Sequence, residues 1–80
     1  MRIVWDERTR LGNLAKHGLD FADLTMAFFS DALITPSKGR RYVAVNIVAG
    51  DLVTVVFARL GSEGISVISM RPASRKERSF

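Results

Sequence analysis

The sequence predicts an α+β fold: a small antiparallel sheet with two N-terminal helices, in the order β-α-α-β-β-β-(α), as a single domain over residues 1–80. Three observations predict it. A chain of 80 residues with 48% hydrophobic side chains can build one compact core and not two. Near the N-terminus, apolar residues recur at helical spacing between residues that start and stop helices. In the second half, valine-rich runs are separated by turns too short for anything but antiparallel neighbours.

Arg2 to Trp5 reads as a strand, because Ile3, Val4 and Trp5 are β-branched or aromatic. Asp6 has the character of a helix N-cap, and Glu7 complements the dipole of the first turn. The helix that follows carries Leu11, Leu14 and Ala15 at i, i+3, i+4, the expected buried stripe. Lys16 and His17 fall in its last turn, and Gly18 follows as a C′ residue. Asp20 looks like a second N-cap, with Asp23 in the first turn. Phe21, Leu24, Met26, Phe28 and Phe29 then give a second helix a wide apolar face, which makes it the main helix packed on the sheet. Asp31, Pro36, Ser37 and Gly39 mark irregular chain, and Leu33 to Thr35 fits a short strand before that turn.

Three strands are expected next: Arg41 to Val48, Leu52 to Arg59 and Ile65 to Met70. The turn Ala49-Gly50-Asp51 joins the first two, and residues 61–64 join the second pair. Pro72 ends the last strand, and Ala73 to Arg78 is a short basic helix with Ser74 near its start, or a tail. Valines alternate on both sides of Leu52 to Arg59, so neither face of that strand is plainly polar. The face away from the helices is therefore expected to be covered by something else, such as a partner chain.

Composition narrows the function. The absence of cysteine excludes disulfides, thiolate metal sites and a cysteine nucleophile. His17 is the only histidine, and no carboxylate cluster accompanies it, so no metal or other cofactor is expected. Twelve Lys and Arg against eight Asp and Glu give a net charge of +4. The cations fall in three clumps: residues 2–16, residues 38–41 and residues 71–78, with Arg59 alone. A basic surface of this kind suits a polyanion, most simply nucleic acid; the alternative is an ordinary solvated surface. No segment is long and apolar enough to span a membrane, no signal-peptide layout precedes the first strand, and the cytoplasm is the expected compartment.

Four groups of residues could carry chemistry. Arg59 and Arg71 end consecutive strands, although antiparallel strand ends do not meet by default and each also reads as a rim arginine. His17, with Lys16, is the side chain most readily used for proton transfer near neutral pH; it also reads as a helix cap. The segment Arg71 to Arg78, RPASRKER, is dense in guanidinium groups, whose planar fork binds two phosphate oxygens at once; it also reads as a solvated tail. Glu63 and Tyr42 can move protons, but nothing local picks them out. No phosphate-cradling glycine loop, Ser-His-Asp order or metal-ligand spacing is present.

The opening WDERTRLGNLAKHGLDF resembles the pattern W-D-x-x-K-x-x-x-N-x-x-K-H-G-x-x-F of the BrnT family of toxins from type II toxin–antitoxin modules. Trp5, Asp6, Asn13, Lys16, His17, Gly18 and Phe21 match it. The end is similar to the same family's closing motif, I-S-x-R-x-A-x-x-x-E-R, through Ile68, Ser69, Arg71, Ala73, Glu77 and Arg78. Two departures stand out: Thr9 occupies the place of a lysine, and Ser66 that of an arginine often found in the last strand.

The resemblance implies a RelE-like fold and an endoribonuclease that blocks translation. It also implies a BrnA-like antitoxin partner, operator DNA being bound only through the antitoxin complex. Metal-independent RNA cleavage uses the substrate's own 2′-hydroxyl and needs the extra phosphate charge to be stabilised. On that reading Arg71 and Arg59 clamp the phosphate, His17 moves a proton, and Lys16, Arg41, Arg75 and Arg78 contact the RNA. The competing class is a basic nucleic-acid-binding or interaction module without catalysis.

Overall fold

The computed structural model describes residues 2–79. Five strands form one sheet in the order β1-β5-β4-β3-β2: β1 (Arg2–Trp5), β2 (Leu33–Pro36), β3 (Arg41–Val48), β4 (Asp51–Leu60) and β5 (Gly64–Pro72). Two helices, α1 (Glu7–His17) and α2 (Met26–Asp31), lie between β1 and β2. The short strand expected near Leu33 is real, so four strands follow the helices rather than three.

The sheet is mixed, which corrects the expectation of a purely antiparallel one. Strands β2 to β5 pair antiparallel, as their short turns require, but β1 runs parallel to β5, with Ile3 opposite Ile65 and Trp5 opposite Val67. Turn length governs only strands adjacent in sequence. The pairing of β1 with β5 spans most of the chain, and no turn dictates its direction.

The caps of α1 form as expected. Asp6 accepts a hydrogen bond from the Thr9 N–H at 3.0 Å, and Gly18 turns left-handed at φ 69° while its N–H bonds the Leu14 carbonyl. The buried stripe does not form: Leu11 is 53% exposed, Ala15 is exposed and Leu14 only half-buried. The inward face is Arg10, Asn13, Leu14 and His17, at the same helical spacing but mostly polar. It docks by hydrogen bonds, so apolar periodicity pointed to the wrong side.

The expected second helix is broken in two. Phe21–Asp23 makes a single 3-10 turn capped by Asp20, whose side chain accepts the Ala22 N–H at 2.9 Å. Leu24 is then extended (φ −77°, ψ 140°), and Thr25 starts α2 by accepting the Phe28 N–H at 3.2 Å. Two capping side chains five residues apart restart the helix, and the break lets Phe21 and Leu24 as well as Phe28 and Phe29 reach the core.

Those four side chains pack on Val53, Val55 and Phe57 of β4, with Ala44, Ile65, Val67 and Met70 beside them. Phe29 meets Phe28 and Phe57 edge to face, at centroid distances of 5.1 and 5.2 Å. The register sends Leu52, Thr54, Val56 and Ala58 to the other face. Thr54 is nevertheless fully buried, because the chain's own C-terminal segment lies across it. Leu33, Ile47 and Leu60, about half exposed, share that second face.

Candidate functional site

Arg71 lies opposite Thr54 near the end of β5, on the face away from the helices. Immediately after the strand, Ser74 and Glu77 form a reciprocal cap: the Ser74 N–H donates to the Glu77 carboxylate at 2.7 Å, and the Glu77 N–H donates to Ser74 Oγ at 3.2 Å. The short basic helix expected over Ala73 to Arg78, with Ser74 near its start, is thus a single turn that ends in a 3-10 stretch at Glu77–Ser79, and not a loose tail. It aims the Glu77 carboxylate back at the sheet. Arg71 donates to it twice, Nη1 to Oε1 at 2.8 Å and Nη2 to Oε2 at 2.9 Å, and the Thr54 hydroxyl donates to Oε1 at 2.8 Å.

The Arg71 hydrogen bonds hold the Glu77 carboxyl well below its ordinary 4.5, at about 2; the Ser74 N–H and the Thr54 hydroxyl add to this, and burial opposes it. The same pairing raises the Arg71 pKa. A carboxyl lowered on folding stabilises the fold fully above its unfolded pKa, and that contribution fades as pH falls toward the folded value. The melting temperature is therefore expected to drop between about pH 4.5 and pH 2, and Glu77→Gln to flatten part of the drop. Glu7, held low by Arg10, and Asp20, held low by the Ala22 N–H and then Arg10, act in the same direction. The difference between variant and wild type isolates Glu77, and superimposable curves would contradict the pairing.

Arg59 does not join this site. It pairs with Ile65, five residues along β4 from Thr54, which puts it on the helix-covered face and about 17 Å away along the strand. The two-arginine clamp is therefore absent. The cause is a one-residue bulge: β5 pairs Val67 with Phe57 but Ser69 with Val56, so the register slips at Ile68. Without the slip Arg71 would face Val53 and share a face with Arg59; with it, everything beyond Ile68 is turned over. Arg59 instead lies over the Tyr42 ring, 5.1 Å from its centroid, beside a half-open apolar hollow lined by Met26, Phe29, Ile34 and Phe57.

Arg41, opposite Ala58, has the same parity as Thr54 and shares the Arg71 face. Arg75 is exposed on the capping turn, and Arg78 Nε donates to the Ala73 carbonyl at 3.1 Å, tying that turn down. Lys16 and His17 end α1, Lys16 exposed and His17 half-buried. Asn13, one turn earlier on the same helix, is bonded to the backbone of Met70, the residue before Arg71. In the sequence Asn13 and Glu77 stand out only as motif positions with no role attached, and nothing points to Thr54. The S-x-x-E spacing of Ser74 and Glu77 is a capping signature that could have found one of them. Among the described residues, no group of three or more His, Asp or Glu side chains is placed to hold a metal ion.

Comparison with known proteins agrees with both motifs. The family model described as "Ribonuclease toxin, BrnT, of type II toxin-antitoxin system" matches residues 5–77. A 1.1 Å crystal structure of the Brucella abortus ribonuclease toxin BrnT superposes with a TM-score of 0.88 at 50% sequence identity, covering 94% of this chain and 99% of that one. No curated protein matches.

Proposed function

Because the chain belongs to the BrnT family of ribonuclease toxins of type II toxin–antitoxin systems, we propose that it is a metal-independent endoribonuclease acting through Arg71. In this reading the 2′-hydroxyl of the RNA attacks the adjacent phosphorus in line. The bond to the 5′-oxygen breaks, leaving a 2′,3′-cyclic phosphate and a 5′-hydroxyl. The nucleophile comes from the substrate, so the protein must hold the sugar–phosphate and stabilise the charge that builds on its oxygens.

The observation that carries the reading is the arginine of the closing motif, fixed by a bidentate partner while 38% of its side chain stays exposed. Arg41 on the same face, with Arg75 and Arg78 on the turn above, supports contacts along the strand. Lys16 and His17, on the helix whose Asn13 binds the backbone beside Arg71, support a further phosphate contact and proton transfer. Thr9 and Ser66 carry no cation in the first helix and last strand, which leaves more of the work to Arg71.

The partner read from the family is a BrnA-like antitoxin whose complex represses its own operon, and the fold is read as RelE-like. The half-exposed Leu33, Ile47 and Leu60 on the second face support a protein partner there. No helix among the described residues is long and apolar enough to cross a membrane, and the cytoplasm is the proposed compartment.

The test is purified protein with a short RNA in excess EDTA. Cleavage to fragments ending in a 2′,3′-cyclic phosphate is the expected result, and a 2′-O-methyl residue at the cleavage position should abolish it. RNA that binds with a steep salt dependence but stays intact would overturn the enzyme in favour of a binding module.

A further inference from the structure

Arginine presents five N–H donors in a plane, arranged along two edges. In Arg71 the terminal edge is spent: Nη1 and Nη2 each donate to one Glu77 oxygen, and Nη1 also donates to the Pro72 carbonyl at 3.3 Å. The remaining donors are the Nε–H and the second Nη2–H, which lie side by side on the other edge, and neither has a partner among the described residues. The Glu77 carboxylate is itself immobilised, because the Ser74 N–H and the Thr54 hydroxyl both donate to Oε1. Thr54 is fully buried on the central strand β4, so the chain of contacts runs from the rigid sheet to the guanidinium.

We propose that Glu77 is a positioning residue: it grips Arg71 end-on so that the side-on pair of donors is presented, already oriented, to two oxygens of an RNA phosphodiester. The inference rests on the role given to Arg71 above. A free arginine would have to freeze several rotatable bonds in the transition state, whereas one clamped end-on has lost that freedom on folding. The arrangement keeps a bidentate edge while satisfying the charge of Glu77, and it explains why an arginine already in an ion pair can still bind phosphate.

Two measurements test it. In the first, Arg71 Nε–H is followed by ¹⁵N NMR while a non-cleavable 2′-O-methyl oligonucleotide is added. The Nε–H resonance of the wild type is expected to shift on binding while the Glu77-bonded Nη protons keep their positions. Nη protons that move to the phosphate, with Glu77 displaced, would overturn the proposal. In the second, cleavage is compared for wild type, Glu77→Gln, Arg71→Ala and the double variant, at a temperature where all are folded. Glu77→Gln is expected to lower kcat about tenfold with KM changed by less than about threefold, and to cause no further loss once Arg71 is absent. Thr54→Val, which removes only the hydroxyl contact to Glu77, should show a smaller loss of the same kind, and decides the matter if Glu77→Gln does not fold. A Glu77→Gln protein that cleaves as well as wild type, or faster, would overturn positioning, as would an equal loss in both backgrounds. Full activity in Arg71→Ala would instead remove the reading of Arg71 on which the proposal stands.

Discussion

Arg71→Ala is expected to lower kcat/KM for RNA cleavage at least about a hundredfold, the usual cost of one charge-stabilising donor at a reacting centre. Arg71→Lys should recover only part of this. A lysine keeps the charge, but it cannot hold Glu77 with one edge and two phosphate oxygens with the other. Arg59→Ala should stay within about threefold of wild type, because Arg59 is turned to the opposite face and lies over Tyr42. The contrast between the two arginines is the sharper test, since both changes remove one positive charge from a chain of net charge +4. Their long-range electrostatic effects on RNA are therefore alike, and only position differs. Kinetics on a short oligonucleotide, with circular dichroism melts to confirm folding, measure both. Equal losses in the two variants would mean that the arginines act as general basic surface.

The central strands were legible because β-branched residues recur along them and a tight turn joins them: β3 over Arg41–Val48 and β4 over Asp51–Leu60 follow the expected spans closely. What local pattern could not carry was anything decided by a single residue or by distant pairing. Thr25 reads as one more polar residue within an apolar run, yet its hydroxyl caps Phe28 and cuts a helix in two. The parallel pairing of β1 with β5 has no turn to announce it. The bulge at Ile68 does most to shape the candidate site. Strict alternation from Ile65 through Val67 and Ser69 leads to Arg71 on the core face with Arg59, and one extra residue reverses that. Arg71 and its neighbours on the basic turn are candidates from the sequence alone, and the structure separates Arg71 from Arg59. Glu77 is legible only as a position of the closing motif and not as a partner of Arg71, because a lone glutamate between two basic residues looks like surface charge until Ser74 is seen capping it.

Asn13→Ala is expected to destabilise the fold by about 3 kcal/mol, equivalent to a drop in melting temperature of about 12–24 °C for a domain of this size. The reason lies at the edge of the sheet. Strand β1 accompanies β5 only from Arg2 opposite Gly64 to Trp5 opposite Val67, and then leaves to become α1. Beyond that point the outer edge of β5 has no strand beside it. The Asn13 carboxamide takes the place of the missing peptide: Oδ1 accepts the Met70 N–H at 3.0 Å, and Nδ2 donates to the Met70 carbonyl at 2.8 Å. Nδ2 also donates to the Leu19 carbonyl at 3.1 Å, which fixes the turn after α1. Asn13 is 8% exposed and Met70 fully buried, so truncation to alanine leaves backbone groups without partners where water reaches them poorly. Asn13→Asp, nearly the same shape, should be at least as damaging. It keeps the acceptor, loses both donated bonds and sets a negative charge against two carbonyl oxygens. Leu11→Ala, on the same helix but at a side chain 53% exposed, should cost well under 1 kcal/mol. Denaturant unfolding of the three variants measures the order directly. If Leu11 proved the costlier truncation, α1 would be held by apolar packing after all, and not by the bonds of Asn13 to the edge of β5.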